Sequence, residues 1–371
     1  VHRLGLRSVK LLHFADLHLD APFAWAGPAV ARRRRQNRRE TLSRILELAD
    51  AEAVDAILCA GDLFEHDRFT PDTIEFLRAS FARTDRPIYL APGNHDWYSP
   101  RSPYALASWS PNVHLFTEDR LTPLTLVDGL SLWGAAHRAP ANTDGFFAGF
   151  STDRGGINLA LAHASERGAL AFQESGKQPH APFDAAELEA AGIAHAFLGH
   201  YHVARDRERH TYPGNPDPLE FGESAGRGVV IAVVADDGSV ARARHSVAVS
   251  AVHDLEVSLD GCQHADDVRG RVGAAIAGLS GSVRVTLAGD VPAALPISPS
   301  ELQPLGEHLD GLLVRIGALR PAYDLEAIRH EATVRGQFAR DTDEIEDEER
   351  RRRVLITGLR ALEGRRDLEV A

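Results

Sequence analysis

The chain has 371 residues, 44% hydrophobic and 25% charged, with a formal net charge of −12. That suits a sizeable core in two or three domains; no run of eighteen or more apolar residues occurs, so no membrane-spanning helix is expected. The acidic balance argues against a protein that coats nucleic acid, although local basic patches such as ARRRRQNRR, residues 31–39, also count, and the only two cysteines, Cys59 and Cys262, exclude a disulfide framework and fit a reducing cytoplasm.

The N-terminal VHRLGLRSVKLLHFADLH carries basic residues, but its apolar run is short and no small-residue cleavage site follows it. It reads as the approach to a first strand and not as a signal peptide. Apolar runs with little alternation predict buried strands over Lys10–Ala15, Ala56–Ala60, Pro87–Ala91, Ile157–Ala162 and Ala194–Leu198. Amphipathic helices are predicted between the first three, over Arg38–Ala53 and Pro71–Ala82, the second with Thr70 as N-cap and Pro71 at the first helical position. That is a β-α-β-α-β pattern. Leu124–His137 reads as a hairpin turning at Asp128-Gly129, and Gly228–Val249 as another turning at Asp236-Asp237-Gly238. Beyond residue 250 the pattern is strand Ala251–Leu259, helix Asp266–Leu279, strand Ser282–Leu287, helix Pro299–Leu309 and strand Leu312–Ile316. Residues 326–371 are highly charged and mostly helix-forming.

Polar residues gather where the first five strands end. Asp16 and His18 follow the first, Gly61 and Asp62 the second, and Gly93, Asn94, His95 and Asp96 the third. His163 follows the fourth, and Gly199, His200 and His202 the fifth. Ligands of α/β sheets bind at the carboxyl ends of strands, so these groups are expected to converge. Taken singly, each motif has a commoner reading as a turn; their order, each at a strand end, is what points to a site. Oxygen and imidazole donors without thiolate suit manganese, iron or zinc. Seven ligands are too many for one ordinary ion and suit two sharing a bridge, for which Asp62 is the candidate. Such a pair can activate a water and clamp a phosphate.

DLH, GDLF, GNHD, AHAS and GHYH, in that order, resemble the motifs of the calcineurin-like metallophosphoesterases. The resemblance implies an α/β fold of two stacked β-sheets flanked by helices, with a di-metal centre. It implies Asp16, His18, Asp62 and His202 at one ion, Asp62, Asn94, His163 and His200 at the other, and His95 as the acid or transition-state stabiliser. LLHFADLHLD, VDAILCAGDLFEHDRFTP and FLGHYHVARD followed by YPGNPDPLEFGE look like the SbcD-type DNA repair exonucleases. The motifs span roughly residues 9–223, and 250–371 fits by architecture alone. YPGN, Tyr212–Asn215, departs from the more usual YxGS-like pattern.

The narrower resemblance implies three parts: a phosphoesterase domain, 1–249, a small α+β capping domain, 250–325, and a charged helical tail, 326–371. Its tail would dock on an SbcC-type coiled-coil ATPase. The expected activity is hydrolysis of DNA phosphodiester bonds with two divalent ions, manganese first and iron or zinc also suited. Expected partners are DNA, that ATPase and a second copy of the chain, with no membrane. A phosphodiesterase of cyclic nucleotides or other small diesters is the alternative enzyme, and a DNA-end scaffold with vestigial catalysis the alternative of another class.

Asp96 either orients the His95 ring or caps the turn. Arg34 and Arg38 either contact substrate phosphates or belong to a solvated, salt-bridged helix start. Trp97 and Tyr98 pack against the loop in preference to stacking on bases. His13 is a core histidine, His137 a structural or supporting residue behind the site, and Cys59 a small buried residue.

Overall fold

The unalternating apolar runs form strands covered on both faces. The structure, a computed structural model, describes residues 8–141, 144–168, 179–223, 227–292 and 295–362. Contacts divide it into two compact units, Val1–His253 and Asp254–Ala371. The basic approach to the first strand, 1–7, and the end of the charged tail, 363–371, lie outside the described residues.

The first unit runs β1 (Val9–Phe14), α1 (Pro28–Ala51), β2 (Ala56–Cys59), α2 (Pro71–Phe81), β3 (Ile88–Leu90), α3 (Pro103–Leu106) and β4 (Val113–Leu115). It continues with β5 (Thr122–Val127), β6 (Leu130–Gly134), β7 (Ile157–His163), α4 (Ala185–Ala190), β8 (His195–Gly199), β9 (Arg205–Asp206), β10 (His210–Tyr212), β11 (Val229–Val234) and β12 (Val240–His245). One sheet has the order β12-β11-β1-β2-β3-β4 and the other β5-β6-β7-β8-β10-β9. The pairs β1–β2, β2–β3 and β3–β4 are parallel, as are β6–β7 and β7–β8. The five site-bearing strands therefore lie in two sheets, three in one and two in the other.

Alternation along β1 shows how the sheets stack. Val9 and Leu11 join Leu58, Leu132, Leu159 and Phe197 in a core built from both sheets. Leu12 and Phe14 join Leu42 and Ile45 of α1 and Leu77 of α2. On the other face of the second sheet, Trp133, Ala160 and Ala162 pack with Phe183 and Leu188. Each fully buried Leu or Phe contributes about 1.5–3 kcal/mol.

α1 begins at Pro28 and not at the expected Arg38, because its buried stripe runs Ala31, Arg34, Arg38, Leu42, Ile45 and Ala49. Two arginines occupy inward positions that hydrophobic periodicity assigns to the solvent side. The hairpins turn as expected, with Gly129 and Gly238 at φ 80° and 84°.

The second unit pairs β13 (Val252–Ser258), β14 (Ser282–Pro292) and β15 (Gly311–Ala322) in that order. With α5 (Ala265–Ile276) and α6 (Pro299–Leu302) they enclose Val268, Val272, Val285 and Leu287. β14 and β15 outrun their expected ends across a register shift between Leu287 and Gly289. The helix expected over Pro299–Leu309 is α6 followed by a 3₁₀ turn, Gln303–Gly306. α7 (Leu325–Arg329), α8 (Val334–Asp341) and α9 (Glu348–Leu362) share a small core of Ile328, Ala339, Leu355 and Leu359. Among the described residues, no helix is long and apolar enough to cross a membrane.

Candidate metal centre

The carboxyl ends of β1, β2, β3, β7 and β8 bring the expected residues to one cleft. Two backbone bonds tie the first loops together: Asp16 N–H donates to Gly61 O at 3.0 Å and His18 N–H to Asp62 O at 2.9 Å. Asp16, His18, Asp62 and His200 all have positive φ, at 56°, 49°, 52° and 112°. Side-chain-bearing residues rarely adopt this conformation, and such strain concentrates at functional sites. The strand-end glycines permit close approach. A Cβ on Gly93 would run into Asp62 Oδ1, and one on Gly199 into Ala60 O.

Three histidines are oriented alike. His163 Nδ1–H donates to Ala60 O at 2.9 Å, His18 Nδ1–H to Glu65 Oε1 at 2.8 Å, and His202 Nδ1–H to Glu223 Oε1 at 3.3 Å. Each bond fixes the tautomer and leaves Nε2 with its lone pair directed inward. His163 Nε2 lies 3.3 Å from Asp62 Oδ2 and His18 Nε2 3.7 Å from the same oxygen. His18 Nε2 and His202 Nε2 face each other at 3.2 Å, a repulsive pairing for two acceptors and a favourable one around a cation. Asp16 accepts His200 N–H at 3.1 and 3.2 Å through its two oxygens.

The closest ligand groupings are Asp16 with His18 and His202, His18 with Asp62 and His95, and Asp16 with Asp62 and His163. Asp16, His18 and Asp62 each occur in two of them, and of these Asp62 is the one with a single oxygen, Oδ2, within 3.7 Å of both His18 Nε2 and His163 Nε2. Asn94 Oδ1 and His163 Nε2 are buried with no hydrogen-bond partner among the described residues. Such orphaned acceptors are costly unless something binds them, so the donor set fits two cations. His200 joins none of those groupings, its ring lying 5.2 Å from that of His163.

Burial and mutual charge shape the acidities. Burial pushes the Asp16 carboxyl up. Burial would push Asp62 up as well, but His163 and His95 outweigh it and hold that carboxyl well below its ordinary range. Burial draws His163 down, and the Asp62 carboxylate overcomes this and raises it, so a proton and a cation compete for the Nε2 lone pair beside that carboxylate. Burial lowers His18 and His200.

Most of the supporting residues take one of their expected roles, and two arginines take neither. Asp96 caps the turn and does not orient His95: its carboxylate accepts Asp62 N–H at 3.0 Å, Leu63 N–H at 2.7 Å, Gly93 N–H at 2.6 Å and the Tyr104 hydroxyl at 2.6 Å. The His95 ring is held by Glu65, with Nδ1–H donating to Oε2 at 2.9 Å, while His95 N–H donates to Asp62 Oδ1 at 2.8 Å. Arg34 and Arg38 are corrected outright as phosphate contacts and as solvated side chains. Both are 0% exposed, and they donate to main-chain carbonyls of Leu17, Asp217 and Pro218. Trp97 stacks on His66 at 3.7 Å, and Tyr98 lies under Arg138. His137 supports the site from behind, its Nε2 2.7 Å from His163 O. His13 and Cys59 are buried in the core.

Glu65, Glu223 and His180 also line the cleft of about 800 Å³ beside the candidate ligands. Sequence reasoning did not single them out. The signal for Glu65 was its place three residues after Asp62 in GDLFE; Glu223 is separated from His202 by β9, β10 and the segment after them and left no local signal.

A family model described as calcineurin-like phosphoesterase matches residues 9–204. The protein named uncharacterized metallophosphoesterase YhaO, of Bacillus subtilis (strain 168), is 26% identical over 239 residues, covering 60% of this chain and 57% of its own length. The DNA double-strand break repair protein Mre11 of Aeropyrum pernix is 27% identical over 238 residues, covering 58% and 55%. The chain thus spans little more than half the length of these curated relatives. Among solved structures, TT1561 of Thermus thermophilus aligns over 64% of this chain and 99% of its own, at 12% identity and a TM-score of 0.38.

Proposed function

The chain belongs to the calcineurin-like phosphoesterase family, and on that premise we propose that it is a di-metal phosphodiesterase acting on DNA. The observation that carries the chemistry is the common orientation of His18, His163 and His202, each tied at Nδ1 and turned inward at Nε2, the first two beside Asp62 and the third beside His18. Asp16, His18, Asp62 and His202 would hold one ion, and Asp62, Asn94, His163 and His200 the other. Two divalent ions bound there, manganese in this reading, would supply Lewis acidity to the phosphate and a nucleophilic water.

The chain's own residues do the rest. The His95 side chain is 37% exposed and faces the cleft. With Nδ1–H committed to Glu65, its Nε2 is the atom that meets substrate. Protonated there, it donates to the phosphate oxygens or to the departing alkoxide. Glu65 keeps that ring from rotating.

DNA as substrate is supported by the Mre11 relative and by Trp25, the half-buried aromatic residue of the cleft lining, on which a base can stack. One observation favours a small diester instead: among the described residues the lining carries Glu65, Glu220 and Glu223 against a single arginine, Arg227. The full ligand set argues against a vestigial scaffold. The test is turnover of labelled single- and double-stranded DNA beside bis(p-nitrophenyl) phosphate, with manganese. Cleavage of DNA is expected, and hydrolysis of the small diester alone would transfer the function to that second class.

A further inference from the structure

We propose that Arg38 is a positioning residue for one ion: from inside the fold it clamps the loop bearing Asp16 and His18 to the loop that orients His202. The proposal rests on the reading of Asp16, His18 and His202 as ligands of that ion.

Arg38 is wholly buried on α1. One of its Nη groups donates to Leu17 O, the carbonyl between Asp16 and His18. The other donates to Asp217 O at 3.1 Å and Pro218 O at 3.0 Å. The chain from Pro218 leads directly into a second clamp. Glu223 Oε2 accepts Leu219 N–H at 2.6 Å and Asn215 Nδ2–H at 2.8 Å, and its Oε1 holds His202 Nδ1. The far side of the second loop is fixed too, since Asp217 Oδ1 accepts Val249 N–H at 2.9 Å and Ser250 N–H at 2.8 Å. One planar guanidinium thus sets the spacing between the segment that carries His18 and the segment whose Glu223 orients His202, and the two rings approach each other at Nε2.

Burial lowers the Arg38 pKa to about 10, with Asp217 acting the other way, so the group stays charged at neutral pH. A buried cation around a cation site opposes binding by Coulomb repulsion. What Arg38 contributes there is geometry, a rigid fork of donors that a lysine ammonium cannot match. Asp16 and His18, on either side of Leu17, have positive φ, and a loop held in that conformation needs an external restraint.

The test compares Arg38→Met, Arg38→Lys and Leu42→Ala, the last loosening the same buried stripe of α1 without removing either clamp. Manganese binding is read by calorimetry and by the electron paramagnetic resonance signature of a coupled pair. Wild type should bind two ions per chain. Arg38→Met should keep one, weaken the other about 10–100-fold and lose the coupled signal. Arg38→Lys should restore part of the affinity, and Leu42→Ala should keep both ions. Arg38→Met with wild-type affinities and coupling, or with a loss matched by Leu42→Ala, overturns the proposal. Should Arg38→Met fail to fold, wild-type binding in Arg38→Lys overturns it. Fewer than two ions in wild type overturns the ligand reading itself, and this proposal with it.

Discussion

Glu65 Oε2 lies 2.9 Å from His95 Nδ1, and Oε1 of the same carboxylate lies 2.8 Å from His18 Nδ1. One side chain therefore orients both a candidate ligand and the candidate acid. Glutamine keeps the shape but offers only one acceptor oxygen, so its NH₂ would meet one of the two N–H donors. Glu65→Gln should lower kcat about 10–100-fold and weaken manganese binding, seen by steady-state kinetics and calorimetry. Unchanged kinetics would remove Glu65 from the account.

His95→Asn should separate binding from reaction. The side chain stands at the cleft mouth, and its main-chain N–H, retained in the variant, is the atom that bonds Asp62. Manganese content should match wild type while turnover falls about 10²–10⁴-fold. Normal turnover with both ions bound would contradict the role given to His95.

The strands and the convergence of their ends were legible because buried strands write themselves as apolar runs, and Asp16, Asp62, Asn94, His163 and His200 follow such runs directly. The start of α1 was not legible, since Arg34 and Arg38 look like solvent-facing charges until main-chain carbonyls of distant loops are seen to satisfy them. For Asp96 the local sequence allows either orienting His95 or capping the turn, and the choice is made by backbone N–H groups of Asp62 and Leu63 on another strand end. Glu223 reaches His202 only through tertiary folding.

Asp96 should matter for stability. Asp96→Asn replaces one acceptor oxygen by a donor facing main-chain N–H groups, and should cost about 1–3 kcal/mol; Tyr104→Phe, losing one hydrogen bond, should cost about 0.5–1.5 kcal/mol. Urea denaturation of each variant measures both, and an Asp96→Asn protein as stable as wild type would show that the cap is dispensable.

His195 gives a stability signature outside the cleft. Its Nε2 lies 2.9 Å from Thr211 Oγ1. Burial, then Arg242 and His210, lowers its pKa to about 3. The unfolded chain takes up this proton near pH 6.5, and the folded chain only near 3. Between those values the unfolded state binds more protons, so stability falls as pH falls, by up to about 1.4 kcal/mol per pH unit for this group. His195→Gln should flatten that slope in urea melts between pH 7.5 and 5; parallel slopes in variant and wild type would refute the assignment.

The shared position of Asp62 is the centre of the account, and manganese content per chain tests it most directly, by elemental analysis of wild type and Asp62→Ala after equilibration with manganese. Wild type should hold two ions and Asp62→Ala should bind both more weakly; a single ion in wild type, or two retained at full affinity in Asp62→Ala, would refute the shared position.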